Sequence, residues 1–266
     1  MLSKKVASFS LATIVLMSGT ANVASAMEQS STLDYPISSI ESTKKTDTFL
    51  DKLIDFKDKE KKAKNYGKNL PNHRDKIVVT PKAKEAFNNY EQNGTRINQA
   101  LREGKVDGYP KEYVKVAKEY AAEMDKVFKQ NTASVPDTIM VYRYTDEQQF
   151  GIAPGTFFPK DPKNPKETIV NKESIEKFKK KYEGKTVKDK GFTSTSLAIL
   201  DKYLGEKAKT IRMDIEVPKG THAVYMGNEY AELILPRNTS LKIKKVSGIV
   251  EKGKLIVKVD ASVVNK

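Results

Sequence analysis

Apolar residues in the first half of the chain recur at helical spacing. The clearest stretch follows Pro110, where five apolar side chains step by four, three, four and three residues along one helix face: Tyr113, Ala117, Tyr120, Met124 and Val127. Such a stripe is stable when it is covered by another apolar surface, so we expect this helix to pack onto the rest of the fold.

Four further segments are predicted to be helical. Thr80 can cap one of them, and Pro81 then falls in its first turn, where proline is tolerated. The predicted helices are 48–64, 80–90, a short helix over 97–102, and a basic helix over 175–182.

Beyond Pro136 the pattern changes to short β-rich runs. In residues 211–217 apolar and charged side chains alternate, which is the period of a half-buried strand. The predicted strands are 139–144, 191–196, 210–217, 223–226, 232–235, 240–246 and 254–259. Because helices come first and strands later, the chain is predicted to form an α+β domain and not a doubly wound sheet.

The first 26 residues have the three parts of a secretory signal peptide, 1–26. A pair of lysines precedes apolar residues 6–17, and small residues follow up to Ala26. A helix that crosses a bilayer needs about 20 apolar residues, so this stretch is too short to be a membrane span. We therefore expect a secreted protein in which the Ser- and Thr-rich residues 27–46 form a flexible leader before one domain at 47–266.

The charge of the chain is strongly positive, at +14, and the loss of Lys4 and Lys5 with the signal peptide lowers it to +12. Lysines alternate with acidic residues, as in 57–64, which indicates solvated helix faces. No Cys/His finger and no RNA-binding signature is present, so we expect no nucleic-acid partner. We also expect a monomer. The sequence contains no cysteine, so packing must stabilise the fold without disulfides.

Several common catalytic sites are excluded by the residues present. His73 and His222 are the only histidines, and no HExxH motif occurs, so no metal is expected. The tripeptide at 184–186 is not a phosphate-binding P-loop, since Lys179 stands where the first glycine is needed. The G-x-S-x-G turn of serine hydrolases is also missing.

Four short motifs remain, in a fixed order along the chain. They are Ile97-Asn98 with Leu101-Arg102 on a predicted helix, the strand segment Val141-Tyr142-Arg143, the segment Gly191-Phe192-Thr193-Ser194-Thr195-Ser196, and Asn228-Glu229-Tyr230-Ala231-Glu232 followed by Leu233-Ile234-Leu235-Pro236-Arg237.

In these motifs, and in a Val-Pro-Lys-Gly turn at 217–220, the chain resembles the bacterial ADP-ribosyltransferase exoenzymes. That family includes the C3-like Rho-modifying toxins and the actin-modifying subunits of binary toxins. Its members show a helical I-N-x-x-L-R segment, a strand arginine, a G-F-x-S-T-S strand and a Q/E-x-E motif before L-L-P-R. The resemblance extends over about residues 58–266. It implies amino-terminal helices packed on a two-sheet mixed β core.

The resemblance implies that NAD is the cosubstrate. Guanidinium groups bind pyrophosphate oxygens through bidentate, charge-assisted hydrogen bonds, which suits Arg143 and Arg102. The alternative for both is an ordinary solvent-facing charge. The NAD contacts implied by the resemblance are Asn98, Arg102, Arg143, Gly191, Phe192, Ser194 and Arg212.

Cleavage of the bond between nicotinamide and ribose builds positive charge on the sugar, as in glycoside hydrolysis. A fixed carboxylate accelerates this step because it stabilises the transition state more than the ground state. By resemblance, Glu232 is that carboxylate, Ser194 hydrogen-bonds it, and Arg143 completes the catalytic set. The ordinary explanation of Glu232 is a charge at a strand edge.

The sequence departs from the family at the position two residues before Glu232. Family members carry Gln there for asparagine acceptors or Glu for arginine acceptors, whereas this chain has Tyr230. Glu229 can substitute if the loop is rearranged. Tyr230 and Glu229 are therefore the candidate substrate-recognition residues.

The sequence thus predicts a secreted toxin that transfers ADP-ribose from NAD to a host protein in the host cytosol. A Rho-type small GTPase or actin is the acceptor that the resemblance implies. Two alternatives stay open: an NAD glycohydrolase that passes ADP-ribose to water, and a noncatalytic, adaptor-like binding domain of the same fold.

Overall fold

The helices of this computed structural model precede most of its strands, as predicted. The structure describes residues 52–200, 209–251 and 253–265, so the predicted signal peptide and leader, 1–46, lie outside the described residues. The helices are α1 (Glu60–Asn69), α2 (Arg74–Ile77), α3 (Pro81–Glu103), α4 (Lys111–Phe128) and α5 (Lys172–Tyr182). The strands are β1 (Ile139–Thr145), β2 (Thr186–Lys188), β3 (Thr193–Ser196), β4 (Ile211–Val217), β5 (Val224–Tyr225), β6 (Glu232–Leu235), β7 (Ser240–Glu251) and β8 (Lys254–Val263).

Helix α3 combines two segments that the sequence predicts as separate helices. Thr80 caps it by accepting a hydrogen bond from the backbone N–H of Ala83, and Gly104, at a φ of 71°, ends it. Between the two segments Asn93 leaves helical geometry, with φ −129° and ψ 20°. The chain therefore bends at Asn93 and continues as a helix, where the sequence predicts a break.

The predicted helix over 48–64 is wrong over residues 52–59, whereas residues 60–64 are helical as predicted. Ile54 forms a parallel bridge with Ile139, and helix α1 begins only at Glu60. The side chains of Ile54 and Phe56 pack against the buried core. Burial of single side chains from an irregular segment therefore produced the apolar spacing that indicated a helix.

The strands form one hydrogen-bonded sheet in the order β2-β7-β8-β4-β1-β3-β6-β5. It is mixed, because β4 and β8 are parallel while the other neighbours are antiparallel. The α+β prediction is confirmed. The two sheets expected from the resemblance are joined into one, because Tyr142 of β1 pairs with Ser196 of β3.

Two apolar clusters meet on opposite faces of strand β6. Along β6, Leu233 and Leu235 point into the larger cluster, while Ile234 points to the opposite side. There it meets α3 and α4, whose contributions include Phe87 and Met124. Because side chains alternate along β6, this strand contributes to both clusters. Ile234 packs α3 and α4 against the sheet.

Candidate active site

The sheet opens between β1 and β3, next to helix α3. Strand β1 has seven residues and β3 has four, yet a single pair, Tyr142 with Ser196, joins them. Continued register would place Arg143 opposite Thr195, so the strands separate at this point. The Arg143 side chain crosses the opening, and its Nη1 donates to the Ser194 carbonyl at 2.7 Å.

A turn that follows β1 orients the Arg143 guanidinium. The Gln149 Oε1 accepts from Arg143 Nε at 3.2 Å and from Nη2 at 2.9 Å. The same turn contains Glu147, whose buried carboxylate accepts the backbone N–H groups of Gly155 at 2.6 Å and Phe157 at 2.7 Å. The turn, and Gln149 with it, is therefore anchored to the following loop.

The positive charge of the Arg143 guanidinium is bonded to neutral acceptors within the described residues. Burial lowers the pKa of its guanidinium, although arginine stays charged at neutral pH. Within the described residues, its hydrogen bonds go to the neutral oxygens of Gln149 and Ser194. A phosphate oxygen placed in the opening would supply the countercharge that these neutral acceptors do not provide.

Glu232 begins β6 on the other side of β3. Its Oε1 accepts a hydrogen bond from the Ser194 hydroxyl, and its Oε2 accepts one from the Asn228 Nδ2 at 2.7 Å. The backbone carbonyl of Ser194 bonds Arg143 while its hydroxyl bonds Glu232. One residue of β3 therefore links the cation and the carboxylate.

The Glu232 carboxyl lies in a mostly buried environment. Burial raises its pKa, and the hydrogen bonds from Ser194 and Asn228 and the charge of Arg143 work in the opposite direction. The negative charge of Glu91 on α3 adds to the increase. A carboxylate that is held by two donors in a water-poor cleft is suited to stabilise positive charge that develops beside it.

Arg102, at the end of α3, is paired with an acidic residue that the sequence analysis missed. Its Nε and Nη2 donate to the two carboxylate oxygens of Asp189 at 2.8 and 2.7 Å. Asp189 also accepts the backbone N–H of Gly191 at 2.8 Å. Arg102, predicted as an NAD contact, therefore lies beside the motif that leads into β3, and its guanidinium is already bound to a carboxylate.

Asn98 on α3 bonds the backbone of the motif at residues 191–196. Its amide donates to the Phe192 carbonyl at 3.1 Å and accepts the Phe192 N–H at 2.8 Å, and it also donates to the Tyr90 hydroxyl. Gly191 is needed next to this contact, because a Cβ there would lie 2.7 Å from Asn98 Oδ1 and 3.2 Å from Arg102 Nη2. Asn98, predicted as an NAD contact, is largely buried and supports the backbone of the site.

Phe192, predicted as an NAD contact, has its side chain in the core. Its ring is fully buried, stacks on Phe128 with centroids 5.7 Å apart, and meets Tyr90 edge-on. An accessible edge is required for contact with NAD, so Phe192 belongs to the core between α3, α4 and the sheet.

Arg212, predicted as an NAD contact, is already paired with two carboxylates. In the β1–β4 register Arg143 lies opposite Met213, so Arg212, one residue along β4, points to the other face of the sheet. There it bonds Asp214 at 2.7 and 3.2 Å and also bonds Glu251. Strand alternation therefore places Arg212 in a buried ion cluster away from Arg143.

The two candidate recognition residues lie in the loop between β5 and β6. Glu229 is exposed, whereas Tyr230 is half-buried and packs against the larger apolar cluster. The carbonyl of Tyr230 accepts the Ser196 hydroxyl at 2.8 Å. The more accessible side chain next to Glu232 is therefore that of Glu229.

Three residues of this site had little or no sequence signal. Gln149 stands in a 3-10 helical turn, and Asp189 precedes the glycine motif without belonging to it. Asn228 lies within the last motif but has no part in the family pattern. Each was found through its hydrogen bond to Arg143, Arg102 or Glu232.

Other features of the described residues bear on the type of site. Among them, no group of three or more His, Asp or Glu side chains is arranged to hold a metal ion. Within the described ranges, no helix combines the length and the apolar character that a membrane span requires.

Comparison with known proteins agrees with the motifs. The model of the ADP-ribosyltransferase exoenzyme family matches residues 58–266. A curated relative, the Mono-ADP-ribosyltransferase C3 of Clostridium botulinum D phage, is 30% identical over 175 residues. These residues are 63% of this chain and 64% of the relative, so the chain spans just under two thirds of that protein.

Two solved structures share the fold. Plx2a, an ADP-ribosyltransferase toxin from Paenibacillus larvae, matches 80% of this chain and 100% of its own, with 28% identity and a TM-score of 0.64. The ADP-ribosylating toxin BECa of C. perfringens, solved with NADH, matches 80% of this chain and 50% of its own, with 22% identity and a TM-score of 0.63. Since the family model matches most of its residues, the chain belongs to the ADP-ribosyltransferase exoenzyme family.

Proposed function

We propose that this protein is a secreted mono-ADP-ribosyltransferase toxin that cleaves NAD and transfers ADP-ribose to a host protein. The observation that carries the proposal is the continuous chain of contacts from Arg143 through Ser194 to Glu232 at the opening of the sheet. Membership of the family supports NAD as the cosubstrate. The predicted signal peptide, 1–26, supports secretion, and residues 47–266 are proposed as the catalytic domain.

The site residues divide the reaction between them. Arg143 binds the pyrophosphate, and Arg102 assists after it exchanges part of its contact with Asp189 for a phosphate oxygen. The bond between the ribose C1′ and the nicotinamide nitrogen breaks, and its electron pair leaves with nicotinamide. Glu232 stabilises the positive charge on the ribose, while the acceptor forms the new bond at C1′ and releases its proton.

Replacement of the carboxylate tests this assignment. Glu232→Gln keeps the shape of the side chain and removes its charge, so we expect NAD turnover to fall roughly a hundredfold or more. Turnover is measured as nicotinamide release, and folding is checked by circular dichroism. Glu173→Gln, at an exposed position on α5, is the matched control. Turnover near the wild-type value in Glu232→Gln would show that another group provides the catalysis.

The acceptor is proposed from the resemblance, as a Rho-type small GTPase or actin in the host cytosol. Incubation of host lysate with the enzyme and labelled NAD, followed by mass spectrometry, identifies the modified protein and side chain. Transfer to neither class of protein would contradict this part of the proposal while leaving NAD cleavage intact.

A second candidate function is an NAD glycohydrolase, in which water accepts the ADP-ribose. The observation that favours it is the packing of Tyr230 against the apolar cluster, at the position where related enzymes carry Gln or Glu. The ratio of labelled protein to free ADP-ribose separates the two functions, since a glycohydrolase produces free ADP-ribose alone.

Glu229 and Tyr230 are proposed to act on the acceptor and not on NAD. We expect Glu229→Ala and Tyr230→Ala to reduce protein labelling more than NAD hydrolysis, because the carboxyl of Glu232 is held by Ser194 and Asn228. Both activities are measured on the same preparations. Equal losses in the two activities would remove the acceptor-selecting role.

A further inference from the structure

We propose that Asn228 is the positioning residue that sets the orientation of the Glu232 carboxylate, in a loop that departs from the family pattern. The proposal rests on the proposed function for its consequence in catalysis. It rests on the geometry of residues 226–232 for its structural part.

The Asn228 side chain uses both ends of its amide. Nδ2 donates to Glu232 Oε2 at 2.7 Å, while Oδ1 accepts the backbone N–H of Tyr230 at 3.1 Å and that of Glu232 at 3.3 Å. A carboxylate only accepts and a backbone N–H only donates, so this amide orientation is the one that satisfies all three contacts. The same side chain therefore closes the turn and holds the carboxylate.

The loop has the backbone of a tight connection. Gly227 and Ala231 both have positive φ, at 71° and 47°, and the Met226 N–H donates to the Glu232 carbonyl at 2.9 Å. Positive φ is unfavourable for alanine, so the turn requires compensating contacts. The two hydrogen bonds that Asn228 Oδ1 accepts are such contacts.

The two oxygens of the carboxylate are held by different elements. Ser194 on β3 bonds Oε1, and Asn228 in the loop bonds Oε2. A carboxylate with one donor can still rotate about its last torsion, whereas one with a donor on each oxygen is restrained to a single plane. Fixed orientation of a charged group toward the developing positive charge is what electrostatic catalysis requires.

Charged and titratable groups on three sides act on the same carboxyl. Arg143 on β1 lowers its pKa, Glu91 on α3 raises it, and Tyr90 on α3 is coupled to it electrostatically. The hydrogen bonds from Ser194 and Asn228 lower it. Loss of the Asn228 donor therefore moves the pKa of Glu232 further upward.

Two substitutions separate the turn from the carboxylate contact. Asn228→Asp keeps the oxygen that accepts the two backbone N–H groups, but it loses the donor and adds a negative charge. Asn228→Ala loses the donor to Glu232 and also the oxygen that accepts the two backbone N–H groups. We expect both variants to lower kcat for NAD hydrolysis by about ten- to a hundredfold, with a smaller change in KM. The acid limb of the kcat–pH profile should move to higher pH in both variants. The move should be larger in Asn228→Asp, because the added negative charge also raises the pKa of Glu232. Asn89→Ala, at a half-buried asparagine whose amide bonds only the Glu85 carbonyl of its own helix among the described contacts, is the control and should leave both unchanged.

A readout independent of turnover distinguishes this proposal from the proposed function. In protein labelled with 13C at glutamate carboxyls, the signal of Glu232 is identified by its absence in Glu232→Gln and titrated in each variant. An unmoved titration midpoint in Asn228→Ala overturns the positioning role, whether or not the enzyme turns over NAD. A fall in kcat with an unmoved acid limb also overturns it, since that result assigns Asn228 to the fold alone. Wild-type protein without NAD turnover overturns the proposed function, while the titration still decides the role of Asn228.

Discussion

At the residue scale, the balance between charge and hydrogen bonding at Arg143 decides what the opening in the sheet can bind. Its guanidinium is partly buried, and its partners are an amide oxygen and a backbone carbonyl. A buried cation with neutral partners carries a desolvation cost that an anion can offset. The site is therefore electrostatically prepared for a phosphate group before the ligand arrives.

The shape of this cation matters as much as its charge. Arg143→Lys keeps one positive charge but loses the planar fork that bonds Gln149 and Ser194 together. We expect NAD affinity, measured by calorimetry, to fall about ten- to a hundredfold, as for the loss of a charged hydrogen bond. Arg96→Lys, on the exposed face of α3, is the control. Wild-type affinity in Arg143→Lys would show that a point charge is sufficient.

At the element scale, the contact between α3 and the start of β3 controls the spacing of the site. The Asn98 amide pairs with the backbone of Phe192, and Gly191 lets the helix approach this closely. The kink at Asn93 separates the part of α3 that carries Tyr90 from the part that carries Asn98 and Arg102. Both parts contact the segment between residues 189 and 192.

A methyl group at Gly191 should separate the helix from the strand. Its Cβ would lie 2.7 Å from Asn98 Oδ1, an atom that is held by the Phe192 N–H, so the neighbours must shift. We expect Gly191→Ala to lower the free energy of unfolding by about 1–3 kcal/mol, and to weaken NAD binding. Gly248→Ala, where a Cβ meets nothing within 4 Å, is the control. Denaturant titration measures the first effect. Equal stability of the two variants would contradict the close-contact argument.

At the scale of the whole molecule, the two faces of the central strands have different tasks. Residues of β1 and β4 alternate, so Arg143 and Met213 face one side while Arg212 and Asp214 face the other. On the second face Arg212, Asp214, Glu251 and Lys258 form a largely buried ion cluster. This cluster joins β4 to β7 and β8, on the opposite face of β4 from the side that Arg143 and Met213 share.

Arg212→Ala should therefore affect stability and not NAD binding. It leaves the carboxylates of Asp214 and Glu251 without their main partner, and breaking a buried pair in this way costs about 3–5 kcal/mol. Lys244→Ala, which breaks an exposed pair with Glu216, should cost about 0–1 kcal/mol. The affinity of the folded fraction for NAD is measured alongside. A loss of affinity without a loss of stability would restore Arg212 to the NAD site.

The sequence predicted elements whose signal is local. The apolar stripe of residues 113–127 predicted helix α4, and the alternation of residues 211–217 predicted strand β4. Each pattern follows from the period of its own backbone. The motif order indicated Arg143, Ser194 and Glu232, which the structure brings together. Residues 52–59 misled because they pack as irregular chain against a distant strand.

The remaining site residues depended on information that no local pattern contains. The face on which Arg212 points depends on the β1–β4 register, and the burial of Phe192 depends on the approach of α3 and α4. Asp189 and Gln149 are ordinary loop residues until the fold places each beside an arginine. Such partners are found from three-dimensional contacts and not from spacing along the chain.

The opening between β1 and β3 has a mechanical consequence. The Ser194 carbonyl is occupied by a side chain and not by the main chain of β1, so Arg143 acts as a prop between the two strands. Replacing Arg143 by alanine would remove this contact and let β1 and β3 form further backbone pairs in the same register. If Arg143→Ala is inactive, the cause can be closure of the opening between β1 and β3 as well as loss of the positive charge. A replacement with a long side chain keeps the strands apart, so it tests the charge alone.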